Sequence, residues 1–163
     1  MTARRFVKSG DTRTSVGQSQ VALERVLRRY GAFGFGVHSD YAQHLIRVTF
    51  RVPDTPGSKV EVPIRLEVSI RAIADALYPE YGGQLPEYRW QQAERVAWRH
   101  LVLWVDAACA ATSAGLQSMS EAFLAHALVR SPTDGSVKRV IEMLDDAAGT
   151  GGYRALLPAG GGA

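Results

Sequence analysis

Hydrophobic positions change period along this chain, and the changes mark its elements. Leu23, Val26, Leu27 and Tyr30 recur at helical spacing, which predicts a helix from Ser15 or Ser19 to about Tyr30. Ser15-Val-Gly-Gln18 spells a capping box at its start, and Gly31 supplies the usual stop. The period then drops to two. Phe33, Phe35 and Val37 alternate with Gly34, Gly36 and His38; Ile46, Val48, Phe50 and Val52 alternate with Leu45, Arg47, Thr49 and Arg51. Val60, Val62, Ile64, Leu66, Val68 and Ile70 do the same around Glu61, Pro63, Arg65, Glu67 and Ser69. Strands over Phe33–His38, His44–Val52 and Val60–Ile70 follow, with a strong turn at Pro53–Gly57. In a meander His44–Val52 is central, and Pro63, which cannot donate to a ladder, places the third strand at an edge.

The apolar face of that sheet needs a cover. The longest helical pattern, Glu87 to Ala114, carries a stripe of Ala93, Val96, Ala97, Leu101, Trp104, Ala108 and Ala111. Ser118-Met-Ser-Glu121 is another capping box and predicts a helix to about Val129. Pro132–Gly135 reads as a turn, and Ser136 as the cap of a last helix bearing Val137, Val140, Ile141 and Leu144. The predicted class is α+β: a three-stranded antiparallel meander with a long helix and shorter helices packed on one face.

A length of 163 residues with 46% apolar content fits one domain with a sizeable core. The expected division is a flexible basic segment over 1–14, a single α+β domain over 15–148, and a glycine-rich tail over 149–163, in which Leu156-Leu157-Pro158 is a candidate docking segment. The start, Met1–Gly10, has basic residues but no apolar stretch behind them, so no signal peptide is expected. Leu101–Val105 is flanked by Arg99, His100 and Asp106, so no membrane span is expected either. The single cysteine, Cys109, excludes a disulfide framework and fits a cytoplasmic setting.

Charge is unevenly placed. The net charge is +3, yet residues 1–30 hold seven basic groups against two acidic ones, and the two later blocks, 31–82 and 83–163, carry −1 each. Such asymmetry points to a polyanionic partner or to a solvated helix face and tail. Arg25, Arg28 and Arg29 lie largely off the apolar face of the first helix. Arg47, Arg51 and Arg65 alternate onto the sheet face opposite the core, where Glu61 and Glu67 join them. Arg95, Trp98 and Arg99 stand at i, i+3 and i+4 off the long helix's stripe, a spacing at which an indole between guanidinium groups can stack on bases. The alternative is that Trp98 packs against a neighbouring element. Tyr88 and Trp90 read both ways as well.

Other chemistry finds little support. There is no phosphate loop of the GxxxxGK type and no GxSxG elbow. Gly34-Phe-Gly36 sits within a strand after a helix, which suits a bulge or close backbone approach better than a dinucleotide fingerprint. His38, Asp40 and His44 gather metal-capable groups near a hairpin tip, where a solvent-exposed turn is the simpler expectation. Cys109 lies in an alanine run and reads as a small core residue. No catalytic group, metal or cofactor is expected.

Thr14–Ser19, Leu23–Ala32, Trp98-Arg-His-Leu101, Glu121–His126 and Ala155–Pro158 together resemble small uncharacterised proteins carried by phages and integrated mobile elements of bacteria. The order of elements (a helix ending in Arg-Tyr-Gly, a meander, a long helix) is similar to the core of phage single-strand annealing proteins, with Gln91–His100 in the place of that class's long-helix segment. This architectural likeness implies a basic groove for single-stranded DNA. The leading expectation is therefore single-stranded nucleic-acid binding, with annealing as a candidate activity, through Arg25, Arg28, Arg29, Arg47, Arg51, Arg65, Arg95, Trp98 and Arg99. The alternative is a protein–protein adaptor or inhibitor of a host system. Oligomeric state is left open, a homo-oligomer included.

Overall fold

The computed structural model describes residues 9–54, 57–132 and 134–149. Helix α1 (Val16–Arg29) opens with the predicted capping box: Ser15 Oγ accepts the Gln18 N–H at 3.2 Å and Gln18 Oε1 accepts the Ser15 N–H at 3.0 Å. Strands β1 (Phe33–Asp40), β2 (Leu45–Pro53) and β3 (Glu61–Ser69) form an antiparallel sheet in the order β1-β2-β3. Helix α2 (Ile70–Leu77), a 3₁₀ turn (Pro79–Tyr81) and the long helix α3 (Glu87–Ser113) follow. The chain continues through α4 (Met119–Ala122), a second 3₁₀ turn (Leu124–His126), β4 (Leu128–Arg130), β5 (Val137–Arg139) and α5 (Val140–Gly149). The α+β class and the meander are those the sequence predicts.

The two-residue period fills the core from the sheet side. Ile46, Val48, Phe50 and Val52 of β2 and Ile64 and Leu66 of β3 are at most 2% exposed. Leu23 and Leu27 of α1, Ala74 of α2, and Ala93, Ala97, Trp98, Leu101, Val105 and Cys109 of α3 belong to the same core. Phe123 closes it, edge-on to Phe50 at 5.3 Å and to Trp104 at 5.6 Å. Each large side chain so buried contributes about 1.5–3 kcal/mol. Helices α1 and α3 run side by side in one direction. At their starts Gln92 Nε2 donates to the carbonyls of Gly10 (3.0 Å) and Thr12 (3.1 Å). At their ends Tyr30, Thr112 and Ser113 line one cavity.

Several elements differ from the sequence reading. On α3 the core takes Trp98, which is fully buried, and leaves Trp104 42% exposed. The predicted stripe is thus rotated, because the helix sits between sheet and α1 and must be apolar on two sides. In β1 the alternation breaks. Phe33 pairs with Arg51 but Gly36 with Thr49, so a bulge lies between them and turns Phe33 to the charged face, under the Arg51 guanidinium at 4.8 Å. Ile70 does not extend β3. Ser69 Oγ accepts the Ala72 N–H at 3.1 Å and starts α2, whose Ile70, Ile73, Ala74 and Leu77 show helical spacing. The helix expected to reach Val129 stops after one turn of α4. Leu128–Arg130 instead pairs with Val137–Arg139, which removes Val137 from the last helix and makes Pro132–Gly135 the site of a hairpin turn. Within the N-terminal segment the described carbonyls of Gly10 and Thr12 accept from Gln92 of α3. Residues 1–8 and the tail from 150 onward, including Leu156-Leu157-Pro158, lie outside the described residues.

Gly34 has φ +67°, and a Cβ there would meet Arg51 Nε at 3.1 Å. Gly34→Ala is therefore expected to lower unfolding free energy by about 1–2 kcal/mol from the left-handed backbone alone. Urea melts of wild type and variant check this.

Candidate functional site

The outer sheet face carries the predicted arginines, and carboxylates hold each of them. Arg47 on β2 stands directly opposite Glu67 on β3, with Nε 3.1 Å from Oε1. Arg65 Nε lies 3.2 Å from the same oxygen, and Arg139 Nη2 of β5 is 3.0 Å from Oε2. Glu142 of α5 extends the cluster to Arg65 (3.2 Å) and Arg139 (3.0 Å). Arg51 pairs with Glu61 at 2.8 Å. The Glu67 side chain is only 16% exposed, so these contacts are far better shielded than ordinary surface pairs. Burial pushes the Glu142 carboxyl up, but the Arg139 N–H, its guanidinium and Arg65 outweigh that and hold it below its ordinary value. Burial first, then the nearby Arg139, keep His126 below its ordinary value, and its Nδ1 is buried without a hydrogen-bond partner.

The remaining predicted residues do not join these three. Arg28 pairs with Glu24 at 2.7 Å. Arg95 donates to Gln92 Oε1 at 3.3 Å. Among the described residues no carboxylate lies within ion-pair distance of Arg25, Arg29 or Arg99. Arg25, Arg28 and Arg29 sit in the last turns of α1, whereas Arg95 and Arg99 sit in the first half of α3, beside the start of α1. The structure corrects the reading of Trp98: with no exposed surface it cannot stack on a base. The predicted residues are thus divided among the outer sheet face, two levels of the helix pair, and the core.

A different cluster forms at the end of the molecule where α3 begins. His44 ends the β1–β2 turn with φ +49°, a left-handed backbone uncommon outside glycine that histidine adopts more readily than most residues. That backbone lets its carbonyl accept the Ile70 N–H at 2.8 Å while its ring stacks on Trp90 at 3.7 Å and 4°. Arg71 lies over the other reach of Trp90 at 5.8 Å. Next to it the Arg89 guanidinium lies over Tyr78 (4.5 Å), Tyr88 (5.1 Å) and Tyr81 (6.0 Å). Tyr78 and then Tyr88 raise Arg89 further above its ordinary value, and its Nε is buried without a hydrogen-bond partner. Tyr88 is 59% exposed and Tyr41, on the adjoining turn, 74%. Sequence reasoning singled out Tyr88 and Trp90 without placing them and missed Tyr41, Arg71, Tyr78, Tyr81 and Arg89. The density of tyrosine, arginine and tryptophan between Tyr78 and Trp90 was the available signal.

Cys109 is buried, and burial pushes its thiol up to about 11, so it is a core residue and not a nucleophile. Among the described residues no cluster of three or more His, Cys, Asp or Glu is placed to hold a metal, and no helix is long and apolar enough to cross a membrane. No protein-family model, curated protein or solved structure matches the chain.

Two outcomes follow for the charged cluster. Glu67→Ala leaves Arg47, Arg65 and Arg139 facing one another and should cost about 2–3 kcal/mol, between the values for exposed and buried pairs, read by urea denaturation. Stability should also fall in acid. His126 is lowered from its ordinary 6.5, so the unfolded chain takes up the proton first and stability declines as pH drops through and below that value. Glu142, lowered from 4.5, adds its own loss as pH falls below that point. His126→Gln should flatten the upper part of the decline, which thermal melts across the pH range would show.

Proposed function

We propose that this chain works as a protein–protein adaptor or inhibitor, and that the end carrying Tyr41, Arg71, Tyr88, Arg89 and Trp90 is its recognition surface. The observation that carries this reading is the composition and contiguity of that end: tryptophan, tyrosine and arginine are the residues in which binding hot spots are enriched. Trp90 is stacked on His44 and Tyr88 lies under the Arg89 guanidinium, so these two rings would lose little freedom on docking. A bacterial host protein as partner rests on the phage and mobile-element resemblance of Thr14–Ser19, Leu23–Ala32 and Glu121–His126.

Single-stranded nucleic-acid binding is the second reading, and the observation in its favour is narrow: Arg25, Arg29 and Arg99 keep cations without carboxylate partners among the described residues. One experiment separates the two. The tagged protein and its Tyr88→Ala/Arg71→Ala variant are used for capture from bacterial lysate, and both are run against single-stranded oligonucleotides in a salt series. The adaptor reading expects one reproducible protein partner, lost or weakened about tenfold or more in the variant, with no retarded oligonucleotide. A retarded band that both proteins give equally, and that weakens steeply with salt, overturns it.

A further inference from the structure

At the end of α3 away from the aromatic cluster lies a cavity of about 580 Å³, within the roughly 300–1,000 Å³ of small-molecule pockets. The way the helix stops shapes it. Gly115 has φ +75°; its N–H donates to the Thr112 carbonyl at 3.0 Å, and the Leu116 N–H donates to the Ala111 carbonyl at 3.1 Å. This glycine stop turns the chain out of α3 and toward α4, whose start Ser118 caps. It leaves Leu116, at the cavity, 80% exposed. Tyr30 at the end of α1, Pro53 at the end of β2 and Met119 of α4 supply the other apolar walls.

Its charge has one sign. Asp54 and Glu121 line it, and no basic residue does among the described residues. Asp54 serves the fold through its main chain: its N–H donates to the Val60 carbonyl at 2.9 Å, and its carbonyl accepts the Ser120 hydroxyl at 2.8 Å. Its carboxylate has neither a hydrogen bond nor an ion pair among the described residues. Glu121 Oε2 accepts the Ser118 N–H at 2.6 Å, and that contact holds its carboxyl below the ordinary value. The carbonyl end of α3 adds partial negative charge, with no basic residue in its last turn to offset it. Arg28 and Arg29 close α1, but neither lines the cavity, and Arg28 is paired with Glu24. A neutral apolar ligand would take water from Asp54 and return no partner, and an anion would be repelled. A cation on an apolar body satisfies both the walls and the carboxylate.

We propose that this cavity binds a small organic cation, an ammonium or amidinium group carried on an apolar aryl or alkyl body. The body lies against Tyr30, Pro53, Leu116 and Met119, and Asp54 holds the cation by a charge-assisted hydrogen bond. Glu121 and the end of α3 add attraction at longer range. The cavity is separate from the aromatic end, and the inference stands without it.

The test is an NMR fragment titration of the full chain with phenylalkyl and alkyl series that differ only in ending as ammonium, alcohol or carboxylate. Ammonium members should bind about tenfold or more tightly than alcohols of the same chain, and carboxylates should not bind. Backbone amide shifts should concentrate at Asp54 and Gly115–Met119, and the ammonium preference should narrow as salt is raised. Asp54→Asn keeps the size of the side chain and removes its charge. It should bring ammonium affinity down to about that of the alcohol, whose own affinity stays unchanged. Leu116→Asn, at an exposed position, should weaken ammonium and alcohol alike. The amide spectrum of each variant checks its fold. Absence of ammonium binding, equal binding of the alcohols, shifts centred elsewhere, or Asp54→Asn without effect each overturns the proposal. So does a lysine-bearing peptide that binds here more tightly than every free ammonium, which would make a partner protein's side chain the occupant.

Discussion

A sheet whose strands β2 and β3 alternate between apolar and polar or charged residues has two unlike faces, and neither can be left as it is. The inner face of Ile46, Val48, Phe50, Val52, Ile64 and Leu66 must leave water, and it shares one core with Ala93, Ala97, Trp98, Leu101 and Val105 of α3. The outer face gathers arginines that repel one another, and Glu67 offsets this by forming ion pairs with Arg47, Arg65 and Arg139 through its two oxygens. The second requirement explains the C-terminal hairpin as much as any hydrophobic contact does. Arg139 and Glu142 reach the cluster only because β5 and α5 are set beside β3, where the Val140 N–H donates to the Ala127 carbonyl at 3.0 Å.

That solution consumes the chemistry that made the outer face a candidate for nucleic acid. A guanidinium held at about 3 Å by a shielded carboxylate must break that contact before it can take a phosphate, so it offers little net attraction. Trp98 is lost to the same economy of space: a helix packed on both a sheet and α1 has no free face at that position. What remains exposed and unpaired lies elsewhere, on the flank of α1, at the edge of β1, and at the aromatic end of α3. Of the basic groups in the first thirty residues, Arg25, Arg28 and Arg29 lie together in the last turns of α1, away from the outer sheet face.

The sheet was legible because its signal is local. The period of two in Leu45–Val52 and Glu61–Ser69 survives folding intact, and the Ser15–Gln18 box caps α1 as read. Failures came where a distant partner decides. Leu128–Arg130 has no strand signature until Val137–Arg139 lies beside it, and Val137 fits the helical spacing of Val140, Ile141 and Leu144 equally well. The orientation of α3 could not be read because a helix covered on two sides has no single stripe, so Trp98 and Trp104 exchanged roles. For α2 the pattern Ile70, Ile73, Ala74 and Leu77 was present but hidden by the strand that runs into it. The candidate site shows the same division: composition placed Tyr88 and Trp90 in view, while the stack on His44 and the cage around Arg89 depend on contacts from β1–β2 and α2 that no local pattern carries.

The two edges of the sheet are not equally occupied: Ile64 of β3 bridges to Ala127, whereas among the described residues β1 pairs with β2 alone. An edge left long, flat and apolar invites indiscriminate pairing. Proline and a bridging residue close β3, which removes it from consideration. On β1 the device is the bulge, and it acts in two ways at once. It limits the regular stretch to Gly36–Asp40, and it turns Phe33 outward under Arg51, at the rim of a cavity that Phe33, Gly34 and Phe35 line together with Glu24, Leu27 and Arg28 of α1. Gly36 is required for this geometry, since a Cβ there would lie 2.9 Å from Thr49 Oγ1.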